Sequence, residues 1–150
     1  MSRTVDALQG ALAAEHAAVY GYGTVGARLD GGDRETARIV MNAHRARRDE
    51  LAAYISARGA RPVAAAAAYR LPVRVASPQT AAQLAAVLED RVLGAYLGLA
   101  GVDEPELRRY AALAMQEAAG RAVAWRRAAG GSSTVGAFPG LPPDALYPRR

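Results

Sequence analysis

The chain is predicted to be an all-α bundle of four long helices with one long crossover. Three observations lead there. Apolar residues recur at helical spacing in four segments of about two dozen residues each. Two of the three connections are only a few residues long, whereas the third, Gly59 to Ser77, is far longer. About a quarter of the residues are alanine, which favours helix and lets backbones approach closely. A chain of 150 residues is one ordinary domain with room for a single sizeable core.

Helix 1 is expected from Thr4 to Leu29. Leu8, Leu12, Glu15, Val19, Tyr22, Gly26 and Leu29 recur at spacings of four and three, which is one face of a helix. Gly31-Gly32 should end it, with Asp33 as N-cap of the next. Helix 2 is expected from Arg34 to Arg58, with Ala37, Met41, His44, Arg48, Leu51 and Ile55 on its stripe; Gly59 stops it and Pro62 follows. Helix 3 has the clearest start, Ser77 as N-cap and Pro78 at the first helical position. It should run to Ala100 with Ala82, Ala85, Glu89, Val92, Tyr96 and Leu99 on one face. Gly101 to Asp103 make a turn, and Pro105 opens helix 4, which should run to Ala128 before Gly130-Gly131. Its stripe reads Leu107, Tyr110, Ala114, Glu117, Arg121, then Ala124 or Trp125.

Connection lengths set the topology. The short links make helices 1–2 and 3–4 antiparallel hairpins. A helix of two dozen residues is about 36 Å long, and nineteen extended residues reach up to about 63 Å. The segment from Gly59 to Ser77 can therefore run the whole length of the bundle and set helix 3 parallel to helix 2, with a helical turn expected at Ala64 to Ala68. Up-down-down-up with one long crossover is the ferritin-like arrangement. The domain is assigned to residues 1–131. The Pro-rich segment 132–150, with Phe138, Leu141, Leu146 and Tyr147 among its prolines, is expected to pack on the bundle or on a partner protomer.

Each helix places one possible metal ligand on its stripe: Glu15, His44, Glu89 and Glu117. At 1.5 Å per residue, Glu15 and His44 lie about 24 and 20 Å from the first hairpin tip, and Glu89 and Glu117 about 21 Å from the second. All four are expected to converge in one layer at mid-bundle. In carboxylate-bridged di-metal bundles two helices supply a lone Glu and the other two supply Glu-x-x-His. Here the second helix reads Met41-x-x-His44 and the fourth Glu117-x-x-Gly120, so one carboxylate and one imidazole are missing. Three glutamates and one histidine still suit a single Fe²⁺, Mn²⁺ or Zn²⁺. Buried carboxylates must be paired, protonated or metal-bound. Arg48 and Arg121, each one turn beyond a candidate ligand, are the arginines expected to supply charge if no metal does.

The stretches LQGALAAEHAAVYGYG (Leu8 to Gly23), HRARRDEL (His44 to Leu51), YRLPV (Tyr69 to Val73), the Leu88-Glu89 pair, AWR (Ala124 to Arg126) and FPGL (Phe138 to Leu141) resemble a family of small bacterial ferritin-like domains of unknown function. The likeness covers nearly the whole chain. It implies a ferritin-like bundle and no established activity. Met41 and Gly120 depart from the di-iron pattern of classical ferritin relatives.

Composition excludes several classes. There is no cysteine, hence no disulfide, zinc finger, iron–sulfur cluster or thiol catalysis. No secretory signal and no membrane-spanning run are read, and a cytoplasmic protein is expected. The net charge of +5 comes entirely from arginine, but the arginines alternate with Asp and Glu along the chain, which describes a solvated surface better than a nucleic-acid patch. Gly21-Tyr22-Gly23-Thr24-Val25-Gly26 matches G-x-G-x-x-G, but it lies within a helical pattern with no strand before it. Close approach of another helix is the expected reason for these glycines. Many small helical faces also point to a homodimer. The leading functional reading is a ferritin-like bundle with a degenerate metal site, acting as a binding or structural module. The alternatives are an iron- or manganese-binding oxidoreductase using Glu15, His44, Glu89 and Glu117, and, more weakly, a basic bundle contacting nucleic acid. No catalytic residue and no organic cofactor are assigned.

Overall fold

The computed structural model describes residues 2–131; the Pro-rich segment assigned above lies outside the described residues. Five helices follow in order: α1 (Arg3–Ala27), α2 (Gly31–Ala57), α3 (Pro78–Ala95), α4 (Leu97–Ala100) and α5 (Pro105–Ala128). The described residues contain no strand. Their ends follow local chemistry. Ser2 caps α1 by accepting from the Val5 N–H, and Ser77 and Thr80 form a reciprocal capping box at α3. Gly59, at φ +75°, ends α2 in the left-handed region that glycine tolerates.

Helix 1 runs from Arg3 to Ala27, within two residues of the expected span, and two larger differences appear elsewhere. Helix 2 starts at Gly31, three residues before Arg34, with Asp30 in place of Asp33 at the N-cap. Gly31 adopts φ +56°, which lets the chain turn into α2 directly after the short link 28–30, and the helix gains most of a turn. The expected third helix is interrupted at Tyr96, where α3 gives way to the single turn α4. The Tyr96 N–H is shared between the carbonyls of Val92 and Leu93, a local tightening toward 3₁₀ geometry.

Side-chain pairings fix the helix directions. On α1 and α3, Glu15 meets Tyr96 and Tyr22 meets Glu89, so these helices run antiparallel. On α2 and α5, Arg47 meets Glu117, Glu50 meets Tyr110, and Arg58 meets Glu104, which is again antiparallel. With α1 and α2 joined as a hairpin, α3 points the same way as α2. Backbones pack closely between α1 and α2, α1 and α3, and α3 and α5. The α2–α5 seam is wider and is closed by long polar and aromatic side chains, with Tyr54 edge-on to Tyr110 at 5.4 Å and the Arg47 guanidinium 4.6 Å from the centre of the Tyr110 ring.

The crossover is an extended strap along α1. Gln9 donates to the Arg61 carbonyl and accepts from the Val63 N–H, His16 bonds the Val63 carbonyl, and the Tyr20 and Tyr69 rings pack at a tilt. Gln9, His16 and Tyr20 form a second stripe on α1 beside the core stripe. The helical turn expected at Ala64 to Ala68 is absent. The strap is tied to α1 on both sides of those alanines, and a helical rise of 1.5 Å per residue would shorten a segment that must span the bundle.

The apolar core falls into two clusters. One joins Leu8, Leu12, Leu51, Ile55, Leu99 and Leu107; the other joins Val25, Ala37, Leu84, Leu88 and Trp125. Between them in chain position on α1, α2 and α3 lie Glu15, His44 and Glu89, the only buried polar or charged residues among those described. No helix among the described residues is long and apolar enough to cross a membrane.

Candidate functional site

Glu15, His44 and Glu89 are 1%, 1% and 0% exposed and are hydrogen-bonded together. His44 sits between the glutamates. Its Nδ1 is 2.5 Å from Glu15 Oε2, and its Nε2 is 2.8 Å from Glu89 Oε1. Both ring nitrogens thus face carboxylate oxygens, which only accept. A neutral ring would turn a lone pair toward one of them; an imidazolium donates to both. Burial opposes the charged ring, but the hydrogen bonds to Glu15 and Glu89 and the charges behind them outweigh it, and the His44 pKa is pushed up to about 9.

Aromatic donors complete the cluster. The Tyr96 hydroxyl donates to Glu15 Oε1 at 2.7 Å. The Tyr22 hydroxyl donates to Glu89 Oε1 at 2.6 Å and accepts from the Trp125 indole N–H at 2.9 Å. Burial, reinforced by the adjoining carboxylates, pushes the pKa of both tyrosines far above the ordinary phenol range, so both stay protonated donors. One chain of bonds therefore runs Trp125, Tyr22, Glu89, His44, Glu15, Tyr96, across α5, α1, α3 and α2. Every link is a donor facing an acceptor. The exception is Glu89 Oε2, a buried oxygen with no hydrogen-bond partner.

The fourth expected ligand is not there. Glu117 is 47% exposed in its side chain and pairs with Arg47 at 3.0 Å on the α2–α5 seam. The buried face of α5 is Leu107, Ala111, Ala114, Ala118, Ala122 and Trp125. Ala118 takes the core position, and Glu117, one residue earlier, is turned about 100° away. The Glu117→Ala variant is accordingly expected to change unfolding free energy by no more than about 1 kcal/mol, measured by urea denaturation. Neither expected arginine enters the core either. Arg48 pairs with exposed Asp49, and Arg121 lies 3.9 Å from Glu117.

The sequence places Tyr22 and Tyr96 on core-facing stripes, whereas the role of Trp125 as a donor was missed. Its signal was available: a single indole on a core stripe, which needs an acceptor when buried. Helix approach explains one of the three glycines in the run. A Cβ at Gly21 would strike Leu88 on α3, whereas one at Gly23 or Gly26 would meet nothing. Those two instead line an open cavity of about 470 Å³ between α1 and α2.

The donor set has the right elements for a first-row divalent metal, but its arrangement does not fit one. Both imidazole nitrogens are committed to carboxylates at hydrogen-bond length. Among the described residues no group of three or more His, Asp or Glu side chains is disposed to hold an ion. The molecule is thus defined as a helical bundle with a buried carboxylate–imidazole–carboxylate cluster. Residues 7–143 match the family described as Domain of unknown function (DUF4439), and the chain belongs to that family. It is similar to a solved structure, a conserved hypothetical protein, rv2844, from Mycobacterium tuberculosis. That likeness has 37% identity and a TM-score of 0.81, covering 84% of this chain and 96% of that one. No curated protein matches the sequence.

Proposed function

We propose that this protein is a ferritin-like bundle whose metal site has degenerated into an ionic latch, and that it acts as a binding or structural module. The helix directions, the crossover along α1 and the mid-bundle position of Glu15, His44 and Glu89 support the ferritin-like reading. The observation that carries the rest is the double hydrogen bond of His44. One imidazolium sits where a cation would be needed to hold two carboxylates from different helices. It links α1, α2 and α3 without an ion and leaves no imidazole lone pair for one. The tyrosine hydroxyls satisfy further carboxylate valence from the core side, as backbone or water donors do around other buried acids.

The competing reading is an iron- or manganese-binding oxidoreductase. One observation favours it, the unpartnered oxygen of Glu89, since a buried oxygen without a donor is a common mark of a missing ion or water. Elemental analysis separates the two. Untagged protein is purified without chelator and then incubated with Fe²⁺ under argon. The latch reading expects far less than one metal per chain in both preparations. About one metal per chain, lost in Glu15→Ala while the helical circular dichroism is kept, would replace it with the oxidoreductase reading.

A further inference from the structure

A second concavity lies on the opposite side of α1 from the glycine-lined cavity, beneath the strap. It has a volume of about 330 Å³. Its floor is the alanine face of α1, including Ala14 and Ala17; Leu88 of α3 and Leu71 of the strap form its walls. Its charged lining is cationic only, Arg70 from the strap and Arg91 from α3. The nearest acid in sequence to Arg91 is Asp90, which is engaged by Arg126. Neither Arg70 nor Arg91 has a carboxylate partner among the described residues.

We infer that this cleft binds a small amphiphilic carboxylic acid, with its apolar body on the alanine floor and its carboxylate against Arg70 and Arg91. The volume lies within the usual span of small-molecule sites, roughly 300–1,000 Å³. At protein packing density it accepts roughly a dozen non-hydrogen atoms. The space exists because the short alanine side chains of α1 stand beneath a strap whose Tyr69 rests against Tyr20 and whose Leu71 packs on the core beside Leu88. An alkyl or aromatic body removes that apolar surface from water. Two guanidinium forks suit a planar carboxylate, and an uncharged head leaves them without a partner. The inference does not rest on the latch: the cleft contains neither Glu15 nor His44, and it stands or falls separately.

The test uses the full chain with decanoate as probe and 1-decanol as its uncharged counterpart, followed by titration calorimetry and amide NMR. Saturable decanoate binding is expected, with shift changes at residues 13–18 and 69–71. It should be at least about tenfold tighter than for 1-decanol, the gain typical of one charge-assisted pair. The double variant Arg70→Ala/Arg91→Ala should bring the two ligands level. Ala17→Leu should abolish binding of both, and Ala13→Leu, at the exposed lip of the cleft, serves the same purpose should Ala17→Leu fail to fold. Absence of saturable decanoate binding, equal binding of acid and alcohol, or undiminished binding in a folded leucine variant would each overturn the assignment.

Discussion

His44→Ala is expected to destabilise the bundle by roughly 3–5 kcal/mol, the cost of leaving buried charges without their counter-charge. Glu15 and Glu89 would face each other across the void left by the imidazole, with only tyrosine hydroxyls to solvate them. For a chain of this size that corresponds to a fall of roughly 10–15 °C in Tm. The same logic predicts a rescue. Replacing all three with leucine, together with Tyr22→Phe and Tyr96→Phe so that no hydroxyl is stranded, should recover part of the loss, because a well-packed apolar layer often matches or exceeds a buried ion cluster, while the Trp125 indole N–H, deprived of its Tyr22 acceptor, holds back about 1–3 kcal/mol. Chemical denaturation of the single and the five-site variants checks both halves. A small effect of His44→Ala would mean that the cluster is not held by an imidazolium.

Stability is also expected to fall at alkaline pH by about 3 kcal/mol, through the same group. The folded His44 pKa of about 9 lies above the ordinary histidine value of 6.5, so the folded state holds this proton more tightly than the unfolded chain. The resulting stabilisation is fully present below about pH 6.5 and is lost as pH rises through about 9. Unfolding free energies measured across that range should decline in the wild type and stay flat over the same range in the five-site variant. A wild-type profile that rises over this interval would contradict the donor assignment.

How far the site was legible follows from particular residues. Glu15, His44 and Glu89 could be placed together because each lies on a helix face pinned by large apolar neighbours: Leu8 and Leu12, Leu51 and Ile55, Leu84 and Leu88. Their heights then followed from helix rise and loop length. Glu117 could not be placed that way. The middle of α5 is rich in alanine, and Ala111, Ala112, Ala114, Ala118 and Ala119 fit two adjacent stripes equally well. A helix face defined by alanine carries a weak hydrophobic signal, and a one-residue error turns an acid from the core to the seam.

The identity of the counter-charge was harder to read. Arginine was the reasonable donor by chemistry, but Arg48 and Arg121 find acids on the surface, where a guanidinium keeps its hydration. A histidine read as a metal ligand already has two ring nitrogens on opposite edges, and which partners they meet depends on packing distances that spacing does not supply. The break at Tyr96 was likewise not visible in the apolar stripe, which continues through it to Leu99. Its hydroxyl reaches Glu15 from the very residue where the helix tightens.

The central claim is that His44 is a buried imidazolium that donates to two carboxylates. The direct measurement is a ¹⁵N-histidine NMR titration of the full chain, following both ring nitrogens of His44 through long-range proton couplings. Both nitrogens should be protonated at about pH 7, and a single proton should be lost near the folded value of about 9. A neutral tautomer at about pH 7, with one nitrogen bare, would contradict the latch and return His44 to the list of possible metal ligands.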